Sequence, residues 1–150
     1  AGTITFIPYG VLVDHFQHEV YENPNLSPKE RKKVWRDLEK RYLPYKVYEN
    51  EFLEAGNYWL RQSHIYTTAF YYIDYTLAQV CAHQYWVMNQ ENHEKAWDSY
   101  FKLCKEGGSK SFLELLKVAG LQNPFVEGTV KEVAVKLKTY LDNYDSSILV

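Results

Sequence analysis

Two cysteines in 150 residues, Cys81 and Cys104, are too few and too far apart for a disulfide framework or a zinc knuckle. Both read as reduced thiols, which suits a cytoplasmic setting. No apolar run approaches the roughly 18 residues that a membrane span needs, and no signal-peptide pattern opens the chain. Charge of one sign is missing too: a net charge of −2 gives no electrostatic case for nucleic acid or an anionic membrane. Repeats of roughly 20–50 residues are absent, as is low-complexity sequence. Most telling is the lack of a complete catalytic set. There is no Gly-x-Ser-x-Gly and no His-Glu-x-x-His, and neither cysteine has a histidine within obvious reach. The chain opens on Ala1, as expected of a processed chain or a piece of something longer.

What is present is globular in character. Apolar residues make up 46% and charged residues 24%, and the length fits one domain. Such a chain buries roughly two-thirds of its unfolded surface. The aromatic share of 17% is raised by fourteen tyrosines. Some of those hydroxyls must find partners or line a polar cavity, because buried phenols seldom go unpaired.

The pattern predicts helices almost throughout. Phe6, Ile7, Val11, Val13, Phe16 and Val20 recur at helical spacing over residues 4–21, with Pro8 near the start and Asn23-Pro24 as the stop. Ser27-Pro28-Lys29-Glu30 signals a second start, with serine as N-cap and Glu30 reaching back. The narrow stripe Val34, Trp35 and Leu38 predicts a surface helix. After a loop broken at Pro44, short helical pieces precede a long, nearly all-round apolar helix over residues 69–88, expected to be central. Asn92 and Ser111 cap two further helices, with Gly107-Gly108 and Gly120 as stops, and Thr129 to Glu132 reads as a capping box. Residues 1–142 form the helical segment and 143–150 a frayed tail. Fold class is therefore all-α, an irregular multi-helix array.

Three groups of residues bear on chemistry. His15, His18 and Glu19 spell His-x-x-His-Glu, where two histidines at i and i+3 can share a metal. The order matches neither zinc-helix signature, and a packing role is the simpler reading. Gly107 to Lys110 precedes a helix but lacks phosphate-loop spacing and a leading strand, so helix punctuation accounts for it. The third is the stretch from Arg61 through His64, Tyr66, Tyr71, Tyr72 and Tyr75 to Gln79. Phenols and an imidazole steady a developing oxyanion and grip a peptide backbone. An aromatic core stripe is the alternative. Asp74, in the middle of an apolar helix, is expected to pair with Arg61 or His64.

Four segments together carry a resemblance: IPYGVLVDHFQHEVYENPNLSP, RKKVWRDLEKRYLPY, FLEAGNYWLRQSHIYTTAFYYIDYTLAQVCA and LCKEGGSKSFLELLKVAGLQNPFVEGTVKEV. From about Phe6 to Leu141 the chain resembles the C-terminal part of oligoendopeptidase F, one of the zinc metallopeptidases related to thimet oligopeptidase. The resemblance implies the helical catalytic domain of a zincin-type oligopeptidase, with a channel for short peptides. It implies a zinc ion held by His-Glu-x-x-His and a further glutamate, all upstream of the part matched here, so no metal is expected on this chain. It implies that His64, Tyr75 and Tyr72 serve catalysis by binding the oxyanion and that Tyr66 contacts substrate; Tyr71 and Arg61, from the same stretch, are expected to bind substrate beside them. The expected partners are short peptides and the upstream part of the same domain, with neither nucleic acid nor membrane. A severed domain should also expose an apolar patch, on the first or the long helix, and self-associate through it. A standalone, non-catalytic module binding peptides or a partner chain is the rival reading.

Overall fold

The structure, a computed structural model, describes residues 2–145. Seven α-helices and two short turns of other helical type make up the ordered elements, with no strand among the described residues. The helices are α1 (Gly2–Glu22), α2 (Pro28–Tyr42), α3 (Ser63–Thr67), α4 (Tyr72–Glu91), α5 (His93–Glu106), α6 (Phe112–Ala119) and α7 (Thr129–Asp142). Between α2 and α3 run a π-helical turn (Leu53–Asn57) and a 3₁₀ turn (Tyr58–Arg61). The chain divides into two compact units, one up to Leu77 and one from Ala78, so the boundary falls inside α4. Residues 146–150 of the expected tail lie outside the described residues.

In the first unit α1 packs against α2, and α2 packs against the π-helical turn. Leu12, Val13, Phe16 and Trp35 are fully buried, and Leu38, Leu43 and Tyr72 complete this core. Pro8 sits in the second turn of α1, which continues through it at the cost of one helical hydrogen bond. Ser27 and Glu30 form the expected capping box, with Pro28 at the first helical position.

As expected, α2 lies at the surface, with Lys29, Lys33, Asp37, Lys40 and Arg41 exposed, but its buried face is wider than the apolar stripe. Trp35, Arg36, Leu38 and Glu39 are all buried. Apolar spacing undercounts this face because two of its residues are charged and neutralise each other. Glu39 accepts from Arg36 Nη1 at 3.2 Å and from the Tyr48 hydroxyl at 2.6 Å, and Lys46 Nζ lies 3.0 Å from it. Arg36 also pairs with Glu54 in the π-helical turn. Burial works against the Arg36 charge, but Glu54 and Glu39 outweigh it and its pKa rises. A buried charge persists only when paired in this way.

Two glycines permit close approaches. Gly56 has φ +88°, and a Cβ there would lie 2.0 Å from the Lys32 carbonyl oxygen of α2. Gly10 faces Thr76, whose Oγ1 would lie 1.8 Å from an added Cβ, so the start of α4 lies directly on α1.

The long helix also departs from expectation. It begins at Tyr72, three residues later than the pattern predicts, because Phe70 adopts φ 59°. That left-handed turn is held by the Phe70 N–H donating to Gln17 Oε1 at 2.9 Å, and by the Phe70 ring against His18 and Tyr21. Nor is α4 buried all round. Its buried positions, Tyr72, Thr76, Val80, His83 and Val87, form one stripe.

In the second unit α5 packs on α6. Asn92 caps α5 by accepting from the Lys95 N–H, and Gly107 ends it. Ser111 and Glu114 form a capping box at α6, with Glu114 exposed to solvent. The box expected at Thr129 does not form. Gly128 takes the N-cap position, Thr129 is buried, and Glu132 accepts from Gln122 Nε2 instead. Apolar side chains line an open groove of about 620 Å³, among them Cys81, Tyr85, Trp97, Tyr100, Leu103 and Leu116. Exposed large apolar side chains are not confined to the first or the long helix, which carry Tyr21 and Tyr75, but occur also on α5 (Trp97, Tyr100, Phe101), α6 (Phe112, Leu113) and α7 (Val130, Val135, Tyr140, Leu141). Among the described residues no helix is long and apolar enough to cross a membrane.

Two substitutions test this framework by urea denaturation. Glu39→Ala takes the buried acceptor from Lys46 and the Tyr48 hydroxyl, leaves Arg36 with Glu54, and should cost about 3–5 kcal/mol. Gly56→Ala forces both a positive φ and a backbone collision, and should cost at least about 2 kcal/mol. Wild-type midpoints in either variant would contradict the packing described.

Candidate functional site

The expected site residues fall in the first unit, on the path from the 3₁₀ turn through α3 to the first turn of α4. Gln62 closes the 3₁₀ turn by donating its N–H to the Trp59 carbonyl, and its own carbonyl accepts from Ile65 at the start of α3. This fixes His64 one residue into α3, half-buried, with its ring edge-on to Tyr72 at 5.1 Å and to Tyr75 at 5.8 Å. Tyr72 and Tyr75 are themselves edge-on at 5.6 Å. The three residues expected to serve catalysis therefore form one cluster.

Their environments differ. Tyr72 is only 9% exposed and belongs to the core, where its ring meets Phe6 and Tyr9. Tyr75 is 42% exposed. Burial, then the neighbouring phenols Tyr75 and Tyr58, pushes the Tyr72 hydroxyl above the ordinary phenol range. For Tyr75 the largest cause is a hydrogen bond with Tyr71, followed by burial, and its pKa is raised as well. Both phenols therefore keep their protons at neutral pH and can donate.

The other three expected residues frame this cluster. Tyr71 lies in the turn before α4 rather than on it, with its exposed ring edge-on to Tyr75 at 5.3 Å. Tyr66 is on α3 rather than in a loop and stacks on Trp59 at 5.7 Å and 22°. Burial raises its pKa. Arg61 is exposed; its Nη1 donates to the Tyr58 hydroxyl at 3.1 Å and its guanidinium lies over that ring.

Asp74 does not behave as expected. It is exposed, and among the described residues no hydrogen bond or ion pair joins it to Arg61 or His64. Its place in the first turn of α4 explains it, because a carboxylate there meets the positive end of the helix dipole.

Residues missed from the sequence are Tyr9, Gln62 and Tyr58. Tyr9, from α1, donates its hydroxyl to Gln62 Oε1 at 2.8 Å, and Gln62 Nε2 lies 2.7 Å from His64 Nδ1. The ring of Tyr58 meets Tyr9 edge-on. Gln62 stands two residues before His64, a proximity the sequence did offer; nothing local links Tyr9 to either.

A metal does not fit these residues. Among the described residues no group of three or more His, Cys, Asp or Glu side chains is placed to hold one. His15 has Nδ1 at 2.9 Å from the Tyr42 hydroxyl and Nε2 at 3.3 Å from Glu19, whereas His18 faces Asp14 at 3.5 Å. Each histidine of His-x-x-His-Glu thus answers to a different partner.

An all-α segment that presents an imidazole beside proton-keeping phenols has the makings of a hydrogen-bond-donating wall rather than a self-contained catalytic centre. The chain belongs to peptidase family M3, whose model matches residues 3–135. It is similar to the solved structure of PZ peptidase A with inhibitor 2, at 56% identity and TM-score 0.88, over 93% of this chain and 25% of that one. A protein provisionally named oligoendopeptidase F is 54% identical with TM-score 0.90, over 96% of this chain and 26% of that one. Another so named, from Bacillus anthracis str. Ames, is 46% identical with TM-score 0.74, over 96% and 22%. The chain thus spans about a quarter of the length of these structures. No curated protein matched.

The contrast between the two central tyrosines is testable. Tyr72→Ala should destabilise the chain by about 3–5 kcal/mol, as loss of a buried ring does. Tyr75→Phe should change stability by less than about 0.5 kcal/mol. Thermal or urea melts that reverse this order would contradict the placement.

Proposed function

We propose that this chain is a segment of a cytoplasmic, zinc-dependent oligoendopeptidase that hydrolyses short peptides. In this reading it supplies donors to the substrate and to the oxyanion, and the zinc ligands come from elsewhere in the enzyme. The observation that carries it is the contact of His64 with Tyr75 on a surface that is half open, within a chain of peptidase family M3.

The chemistry follows from the protonation states. Attack on a scissile carbonyl moves negative charge onto its oxygen, and preorganised donors aimed at that oxygen lower the barrier. Tyr75 keeps its proton at neutral pH, as a phenol does, and it is exposed enough to reach a bound peptide. His64 offers a ring N–H beside it. Tyr72, packed edge-on to both, holds the two rings in place and backs the site with a dry wall. Tyr66, Tyr71 and Arg61 flank this centre with exposed polar ends suited to peptide main chain and carboxylates. A role for this chain as an independent peptide-binding module lacks a comparable supporting observation.

In the full-length enzyme Tyr75→Phe removes one hydroxyl without disturbing packing. Steady-state kinetics should show kcat falling roughly tenfold to a thousandfold with KM little changed, the signature of an interaction made in the transition state. An unchanged kcat would overturn the assignment.

A further inference from the structure

A neutral histidine carries one ring proton, and which nitrogen holds it is decided by the partner of the other. His64 Nδ1 has such a partner in Gln62 Nε2, 2.7 Å away. An amide nitrogen only donates, whereas an amide oxygen only accepts. The question is therefore which end of the Gln62 side chain faces the imidazole, and the answer lies one bond further on.

The other end of that amide meets the Tyr9 hydroxyl at 2.8 Å. Tyr9 is set in α1 with its ring edge-on to Tyr58 and Tyr72 and the Lys46 ammonium over its face. Burial above all, then the nearby phenols, raises its pKa, so the hydroxyl keeps its proton. Among the described residues the acceptor for that proton is Gln62 Oε1. Turning the amide over would leave the phenol proton without an acceptor, a loss that a half-buried donor does not bear cheaply. The Gln62 backbone is pinned on both sides by the bonds to Trp59 and Ile65, which fixes the point from which its side chain reaches Tyr9 and His64.

We propose that Gln62 is a positioning residue: oriented by Tyr9, it donates to Nδ1 and holds His64 as the Nε2–H tautomer, aiming that N–H toward the substrate. The chain of bonds runs in one direction, from the Tyr9 hydroxyl to Gln62 Oε1 and from Gln62 Nε2 to His64 Nδ1. Its catalytic consequence rests on the reading of His64 as an oxyanion donor.

Tautomers are read directly from long-range ¹H–¹⁵N correlation spectra of the histidine-labelled 150-residue chain, at about pH 8.5, where histidines are neutral. The expected wild-type pattern for His64 is a protonated Nε2 and a bare Nδ1. Gln62→Glu keeps the shape but can only accept, so the proton should move to Nδ1. Tyr9→Phe frees the amide to turn and should shift the tautomer ratio by roughly two- to tenfold, the span of one net hydrogen bond. A wild-type Nδ1–H tautomer, or a Gln62→Glu spectrum identical to wild type, would overturn the proposal. In the full-length enzyme Gln62→Glu should lower kcat at least tenfold at similar KM. A switched tautomer with unchanged kcat would leave the positioning role standing and overturn the catalytic reading of His64.

Discussion

The first unit depends on the ring of Phe16. It is fully buried on α1, edge-on to Trp35 of α2 at 5.2 Å and against Trp59 of the 3₁₀ turn at 5.1 Å. Aromatic contacts of this kind add roughly 0.5–1.5 kcal/mol each beyond the area they bury. Their greater consequence is geometric. Trp59 stacks in turn on Tyr66, and only two residues separate it from Gln62, so the packing of one phenylalanine fixes where the imidazole segment can lie. Gly56 is what allows the chain to arrive there, since only a residue without a side chain can cross the Lys32 carbonyl so closely.

Around that aromatic centre the unit uses charge where a simpler helical array would use leucine. Glu39, wholly buried, gathers Arg36, Lys46 and Tyr48, and Arg36 extends the pairing to Glu54. Such networks give little net stability over apolar packing, but they tolerate few alternative arrangements. Here the network ties α2 to the loop and to the π-helical turn that precedes the candidate site. The Tyr48 phenol, raised in pKa by burial and by its bond to Glu39, stays protonated as the donor that this arrangement needs.

How much of this was legible in the sequence depends on the distance over which each feature acts. The Ser27 and Asn92 caps are local and were readable, as was the stop at Gly107. The full width of the buried face of α2 was not, because Arg36 and Glu39 count as surface until Lys46, Tyr48 and Glu54 are known to meet them. The delayed start of α4 turns on a hydrogen bond between Phe70 and Gln17, 53 positions apart, which no local pattern announces. Of the candidate site, the shared face of Tyr72 and Tyr75 followed from their spacing, whereas His64, on a separate helix, was joined to them only by the family resemblance. That one tyrosine is core and the other open did not, since periodicity places them on one face without saying what covers it. Tyr9 was invisible for the same reason as Gln17.

The account that results is of a chain that brings donors together, an imidazole and protonated phenols on a core that sets their geometry, with no cluster of metal-ligating side chains among the described residues. The most direct measurement is the cleavage of a quenched fluorescent oligopeptide by the 150-residue chain with added zinc, run with and without a chelator. The account predicts no cleavage in either condition, because the donors alone cannot activate water. Chelator-sensitive cleavage would contradict it, since a functional metal site would then have to lie within the chain.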